Sequence, residues 1–274
     1  MGSPFSGFLS VLNSLSVPGL IDAIVFFVGL AFGSFGGMLA SRVPRKLAPT
    51  GRSQCPHCGA VLSPSELIPV VSFLVQRGRC KHCGQRISAG YLLVELSTAV
   101  TFVLFYRYFG LNIVGILNMI LALHFTVLAG TDMMHGLMPN RVILSGLAFA
   151  LMLRIAAPFQ MHAQGLYPSL NPVGRALWAS LRDGLIGAAL GFGFLYLVAL
   201  VKSGAMGGGD IKMAALIGFY LGGWKVFPAL GLGFILSSVY AIPMMILGKL
   251  KRTDTLPLGI FLSLATLILA FAEI

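Results

Sequence analysis

The chain has 274 residues, of which 57% are hydrophobic and only 10% are charged. A soluble globular domain carries roughly 25% charged residues, so the composition excludes an ordinary soluble domain and predicts a membrane protein. The net charge of +11 does not indicate nucleic-acid binding, because basic loops on the inner side of a membrane protein explain it.

Eight apolar segments approach the roughly 20 residues that a bilayer-spanning helix needs. The sixth is the shortest, and the segments are 20–40, 89–108, 111–131, 141–158, 183–201, 211–224, 226–248 and 256–273. They predict an all-α polytopic membrane protein with about eight transmembrane helices and a small cytosolic domain, residues 41–88, inserted between helices 1 and 2. Residues 1–19 lack the Lys or Arg of a cleavable signal and are predicted to form an N-terminal tail. The rest, 89–274, is the predicted main membrane domain.

The basic residues are unevenly divided between the two ends of the predicted helices. With the N-terminus outside, segment 41–88 and the other inner loops contain 14 of the 19 Lys and Arg residues. Cytoplasmic loops carry such an excess. The sequence therefore predicts a multi-pass protein with both termini outside and segment 41–88 in the cytosol.

The four cysteines of the chain form two C-x-x-C pairs within this cytosolic segment. The pairs are separated by 21 residues, each is followed by glycine, and the cysteines are Cys55, Cys58, Cys80 and Cys83. This pattern is typical of a tetrahedral four-thiolate zinc site with a structural role. Two disulfides or a redox dithiol pair are the alternatives, and the reducing cytosol disfavours disulfides. His57 and His82 lie inside the pairs and are predicted to face solvent.

Two aspartates are predicted at the inner ends of helices. In "AGTDMMHGLMPN" (129–140), Asp132 ends the third helix, Pro139 interrupts it, and Asn140 is the predicted N-cap of the fourth. In "AMGGGDIKMAAL" (205–216), Asp210 lies where the chain re-enters the membrane from the same side. Acids against a bilayer are costly and are functional candidates by default.

Two carboxylates that face one water molecule can hydrolyse a peptide bond. One takes a proton from the water while the other, protonated, polarises the scissile carbonyl. The alternative is that each aspartate caps a helix or pairs with a base such as Lys212 or Arg141. A phosphate-binding loop is less consistent with the sequence, because the G-x-x-x-x-G-K-[ST] pattern is absent and Asp210 would repel phosphate.

The ordered combination of these motifs resembles the bacterial type IV prepilin peptidases, membrane aspartic proteases with a G-x-G-D motif. The resemblance extends from "GSFGGMLASRVPR" (33–45) to "PLGIFLSLATL" (257–267) and is most specific in 55–96. It implies cleavage of a basic leader from prepilins and pseudopilins after a glycine, at the cytoplasmic face of the inner membrane. It also implies N-methylation of the new terminal residue with S-adenosylmethionine.

The resemblance assigns roles to individual residues. It implies that Asp132 and Asp210 are the catalytic acids, that the four cysteines bind the metal, and that three glycines shape the active-site loop: Gly207, Gly208 and Gly209. The family's asparagine two residues after "GSF" is replaced by Gly37, so its role is not carried over. The family's "P-F-G-P" is here "PLGI" (257–260), a difference expected to affect packing only.

Further residues are assigned weaker roles. Glu95, about 10 Å into the second helix by the 1.5 Å rise per residue, is either a substrate or cofactor contact or a buried structural partner. Lys212 is a second candidate for such a contact. Arg154 is expected to extend to the outer surface. The glycines at 29, 33 and 37 indicate close helix contact.

Two other classes of function fit part of the sequence. A proton- or cation-coupled transporter could use the same two acids, although transporter sites lie near the bilayer midplane and in repeated halves. Alternatively, the protein is a peptidase only, and the zinc-binding segment serves as a docking platform.

Overall fold

The computed structural model describes residues 19–48, 50–165, 170–201, 206–250 and 256–271. Of the predicted N-terminal tail, only Gly19 falls within this part of the chain.

Within these described ranges, eight apolar helices form the membrane part of the structure. They are α1 (Leu20–Arg42), α2 (Ala89–Phe109), α3 (Ile113–His135), α4 (Asn140–Ala163), α5 (Leu170–Val201), α6 (Gly208–Leu221), α7 (Val226–Ile246) and α8 (Leu258–Leu269). The first five and α7 are long and apolar enough to cross a membrane. Helix α6, with 14 residues, and α8, with 12, are shorter. The prediction of an all-α polytopic membrane protein is confirmed.

Two details of the predicted helices are wrong. Helix α5 begins at Leu170, not at 183, because the exposed Arg175 and Arg182 lie on the solvent-facing side of its first turns and lower the local hydropathy. The shortest helix is α8 rather than α6.

Between α1 and α2 lies the cysteine-containing segment, which has little regular structure. It contains a short 3-10 helix, Pro64–Leu67, and a single helical turn, Val71–Val75. We call residues 43–88 the cysteine module.

Neighbouring membrane helices pack against each other in antiparallel orientation. Along α1 and α2, the contacts of Gly29 with Ala99 and of Gly33 with Glu95 follow an antiparallel register. The same holds for α5 and α6, where Gly187 meets Gly218. We call the end at which α1, α3, α5 and α7 finish and α2, α4, α6 and α8 begin the module end. Helix α3 is central, since it packs against α1, α2, α4 and α8.

The glycines of α1 allow its close contact with α2. A Cβ at Gly29 would lie 2.6 Å from Ala99 Cα, and one at Gly33 would lie 2.7 Å from Glu95 Cα. Further along, a Cβ at Gly37 would lie 3.1 Å from the ring of Tyr91. The expected close helix contact is confirmed.

Arg154 does not extend to the surface as expected. It is 9% exposed, and its guanidinium donates to the carbonyl oxygens of Phe219 at 2.6 Å and Ser180 at 2.6 Å. It also contacts Asp183 Oδ2 at 3.4 Å and the Tyr220 carbonyl at 3.3 Å. The last turn of a helix leaves carbonyl groups without partners, and Arg154 satisfies those of α6 instead of reaching solvent.

Candidate active site and metal centre

Asp132 lies one turn before the end of α3, at the module end. The helix ends because Gly136 takes up the left-handed conformation (φ 61°, ψ 28°) and donates its N–H to the Asp132 carbonyl at 2.8 Å. Pro139 then precedes α4. The Asp132 side chain is buried, at 7% exposure.

Asp210 is the third residue of α6, also at the module end. Its Oδ2 accepts a hydrogen bond from the Gly207 N–H at 3.3 Å. An acid in the first turn of a helix is favourable, because the unpaired N–H groups there carry a partial positive charge. The predicted placement of both acids at one end of the bundle is therefore seen in the structure.

The two acids share a small environment. The side chain of Met138 packs against both Gly209 and Gly259. A Cβ atom added to Gly209 would lie 2.8 Å from Met138 Cβ, and one added to Gly259 would overlap Met138 Cε.

The start of α8 contacts Asp132 directly. Gly259 donates its backbone N–H to Asp132 Oδ2 at 2.8 Å. Asp132 thereby satisfies one of the N–H groups that the first turn of α8 leaves unpaired. Gly259 is the glycine that "PLGI" shares with the family's "P-F-G-P", so this contact leaves untested the expectation that the differing residues affect packing only.

The three glycines before Asp210 are not equivalent. A Cβ at Gly207 would lie 2.9 Å from Asp210 Oδ2, and one at Gly209 would lie 2.8 Å from Met138 Cβ. A Cβ at Gly208 would meet nothing within 4 Å. A side chain larger than that of glycine would therefore be crowded at positions 207 and 209. At position 208 the structure shows no steric requirement for glycine.

Lys212 connects two helices at the module end. Its Nζ donates to Asn140 Oδ1 at 3.0 Å, which links α6 to α4. Asn140 is the first residue of α4, Pro139 is its N-cap, and no side-chain cap is present. The N-cap prediction for Asn140 is wrong, because its side-chain oxygen binds Lys212 instead.

Glu95 is 8% exposed and holds the cysteine module against the membrane helices. Its Oε2 accepts the backbone N–H of Val70 at 2.7 Å, and the Ser34 hydroxyl also hydrogen-bonds the carboxyl group. Val70 has φ 63° and ψ −52°, the conformation of a rare and strained tight turn. Glu95 therefore has the hydrogen-bond partner that a structural role requires. This bond is also compatible with a contact between Glu95 and a substrate or cofactor.

The two cysteine pairs have the same backbone geometry. Cys55 donates its N–H to Ala60 O at 2.9 Å, while Gly59 donates to Cys55 O at 2.9 Å. The second pair repeats this, with Gly84 donating to Cys80 O at 2.9 Å. Gly59 and Gly84 both have φ +70°, which glycine adopts without steric cost. Two identical turns present their sulfur atoms to one point.

The four thiol groups form a cluster that could hold a metal ion. Their Sγ atoms all lie within 4.8 Å of one another, and Cys55 Sγ is 3.9 Å from Cys83 Sγ. A tetrahedron with zinc–sulfur distances of about 2.3 Å requires sulfur–sulfur distances of about 3.8 Å. The donor set therefore fits zinc, and His57 and His82 are exposed as predicted.

Comparisons with known proteins cover both halves of the chain. Residues 27–109 match the Bacterial Peptidase A24 N-terminal domain, and residues 119–272 match the Type IV leader peptidase family. No solved structure matches the chain.

Several similar proteins carry the name prepilin leader peptidase/N-methyltransferase. The one from Bacillus subtilis is 33% identical over 86% of this chain and 88% of its own length. Those from Myxococcus xanthus and Pseudomonas aeruginosa are 31% and 30% identical over 75% and 78% of this chain, covering 59% and 69% of their own lengths.

Proposed function

This chain belongs to the type IV leader peptidase family, and on that premise we propose that it is an aspartic endopeptidase that removes the basic leader of prepilins and pseudopilins after a glycine. One observation carries the proposal: Asp132 and Asp210 come from helices far apart in sequence, yet the side chain of Met138 packs both against Gly209, the neighbour of Asp210, and against Gly259, whose N–H bonds Asp132.

The proposed reaction uses the two carboxyl groups as a pair. The ionised member takes a proton from a water molecule, which attacks the carbonyl carbon of the scissile bond. The protonated member donates a hydrogen bond to the carbonyl oxygen and stabilises the charge that develops there. The tetrahedral intermediate then collapses with cleavage of the C–N bond, and the proton taken from the water passes from the carboxyl group to the leaving amine. Like charges at close range do not both ionise easily, so the pair holds one proton.

The position of the pair supports this reaction over ion transport. Both acids lie in the last or first turn of a helix at the module end, whereas transporter sites lie near the bilayer midplane. With the cysteine module in the cytosol, as the basic residues favour, the pair faces the cytoplasmic side of the bacterial inner membrane. A basic leader in the cytosol would reach it there.

We also propose that the enzyme N-methylates the newly exposed terminal residue, with S-adenosylmethionine as donor. When bound, the donor supplies an electrophilic methyl group to the terminal amine. Zinc held by the four cysteines would stabilise the fold of the module, since a closed four-sulfur site offers no open position for catalysis.

Cleavage of a purified prepilin tests the peptidase proposal. We expect Asp132→Asn and Asp210→Asn each to lower the cleavage rate by about three orders of magnitude or more, because either loss removes the proton-transfer pair. Asp22→Asn is the matched control, since Asp22 pairs with Arg107 at the opposite end of the bundle. The proposal is overturned if folded variants of both candidate residues cleave at the wild-type rate.

A further inference from the structure

A cavity of about 160 Å³ lies at the module end, between the cysteine module and the helices α1 and α2. It is distinct from the surroundings of Met138 and Gly259 described above. Its lining combines aliphatic side chains, such as Leu62 and Ile87, with hydroxyl, amide and carboxyl groups, such as Ser34, Gln76 and Glu95, and it includes Cys55 and Cys80 of the thiol cluster.

Two buried carboxyl groups line this cavity. Glu66 and Glu95 are each 8% exposed. Oε2 of Glu66 accepts hydrogen bonds from the Ser63 N–H at 2.9 Å and the Ser63 hydroxyl at 2.7 Å. These bonds hold the pKa of Glu66 below its usual range, which favours the charged form.

The second oxygen of Glu66 lacks a hydrogen-bond partner. Oε1 is buried without one, and Nε2 of the exposed His82 lies 3.6 Å away. A buried polar atom that loses its water and gains no hydrogen bond is costly, by roughly 1–3 kcal/mol. A ligand that reaches Oε1 from the cavity would remove this cost.

One basic residue, Arg42, also lines the cavity. It donates to the carbonyl oxygens of Thr50 at 2.7 Å and Arg52 at 2.8 Å, and these neutral partners leave its positive charge in place. Within the described ranges, Glu95 has no ion pair. The lining therefore holds two carboxyl groups and one guanidinium, an arrangement that favours a ligand with more positive than negative groups, because buried charges are normally paired.

Resting on the proposed methyltransferase activity, we propose that this cavity binds the cationic methyl donor S-adenosylmethionine, with Glu95 and Glu66 facing its positively charged part. The sulfonium and the ammonium of the donor match the two carboxylates. The hydroxyl and amide side chains of the lining can hydrogen-bond a nucleoside, and the apolar side chains can pack against its base.

The size of the cavity fits a partly enclosed donor. Pockets that enclose a whole small molecule measure roughly 300–1,000 Å³, and this one is smaller. Its lining includes the exposed residues Gln54 and Pro56 of the module. The cavity therefore encloses the charged part of the donor and leaves the remainder at the surface of the module.

Equilibrium binding to the purified full-length protein tests the proposal. S-adenosylmethionine carries the sulfonium charge, and S-adenosylhomocysteine, which has a neutral thioether, lacks it. We expect Glu95→Gln to weaken binding of S-adenosylmethionine about 10-fold or more and binding of S-adenosylhomocysteine much less. Glu66→Gln should act in the same direction. The amide that Glu95→Gln introduces keeps an oxygen acceptor for the Val70 N–H, so the ratio of the two affinities separates charge recognition from a structural effect.

Asp22→Asn is the control, because Asp22 and Arg107 also join α1 to α2 but at the opposite end. It should bind both compounds as the wild type does. The proposal is overturned if the Glu95 and Glu66 variants keep wild-type affinity for both compounds, or if the wild type binds neither.

An alternative ligand is the amine of the processed substrate. If Glu95→Gln weakens binding of a processed pilin peptide and leaves both donor affinities unchanged, the cavity takes the methyl acceptor and the proposal is wrong. Prepilin cleavage by the same wild-type preparation is measured in parallel. Its absence would count against the proposed peptidase function and would leave the binding result intact.

Discussion

Gly259 donates its backbone N–H to Asp132 Oδ2 at 2.8 Å, although 127 residues separate the two in the chain. The contact joins the start of α8 to the last turn of α3. It gives Asp132 a fixed orientation, because a backbone N–H in a helix has little freedom to move. The position of one candidate catalytic carboxyl group therefore depends on a helix that contributes no acid of its own to the pair.

The first prediction concerns the missing side chain at Gly259. A Cβ there would overlap Met138 Cε and lie 2.9 Å from Asp132 Oδ2. We expect Gly259→Ala to keep the backbone N–H but displace Asp132, and a displacement of about 1 Å can lower a catalytic rate about 100-fold. Prepilin cleavage under single-turnover conditions measures this loss.

Gly231→Ala is the matched control, since a Cβ at Gly231 in α7 would meet nothing within 4 Å. It should cleave at close to the wild-type rate. Equal rates for Gly259→Ala and Gly231→Ala would show that the start of α8 does not position Asp132.

The second prediction separates the glycines before Asp210. Gly209→Ala should lower stability by about 1–3 kcal/mol, the usual cost of overpacking, because its Cβ would lie 2.8 Å from Met138 Cβ. Gly208→Ala adds a Cβ that meets nothing within 4 Å. The melting temperatures of the two variants in detergent should therefore differ, with only Gly209→Ala falling clearly below the wild type. Identical melting temperatures would contradict the packing of Met138 against Gly209.

The sequence predicts the candidate site in outline because charge and spacing are local properties. The uneven distribution of basic residues places Asp132 and Asp210 at the same end, and two C-x-x-C pairs predict the thiol cluster that the structure contains. The glycine spacing likewise predicts the close approach of α1 and α2.

The contacts of Gly259 and Glu95 were not predictable in the same way. A backbone N–H has no sequence signature, so its hydrogen bond to Asp132 depends on how α8 packs against α3. The bond from the Val70 N–H to Glu95 likewise depends on an irregular segment of the module. In α5, charged residues near the start lower the hydropathy, so hydropathy alone predicts a later first residue than the structure shows.

The third prediction concerns Arg154, which holds the end of α6 that lies opposite the module end. Arg154→Met would leave the carbonyl oxygens of Phe219 and Ser180 without this donor. Removing one member of a buried polar network costs about 3 kcal/mol or more, so the melting temperature should fall clearly.

Arg107→Met provides the comparison, because the Arg107 side chain is 65% exposed in its pair with Asp22. Exposed ion pairs contribute only about 0.2–1 kcal/mol. If Arg107→Met destabilises the protein as much as Arg154→Met does, the buried network around Arg154 is not what stabilises this end of the bundle.

The last prediction concerns the metal that the cysteine cluster would hold. Purified protein should contain about one zinc ion per chain, because the four sulfurs form a single tetrahedral set. Metal binding of this kind supplies roughly 10–16 kcal/mol of folding free energy, and the module has little core of its own. Cys58→Ser should therefore lose the zinc and make the segment between α1 and α2 sensitive to protease.

His57→Ala changes the residue next to Cys58, which is exposed, and should keep both the metal and the protease resistance. Elemental analysis and limited proteolysis of the two variants measure this difference, and a zinc content near zero in the wild type purified without chelator would rule out the assignment.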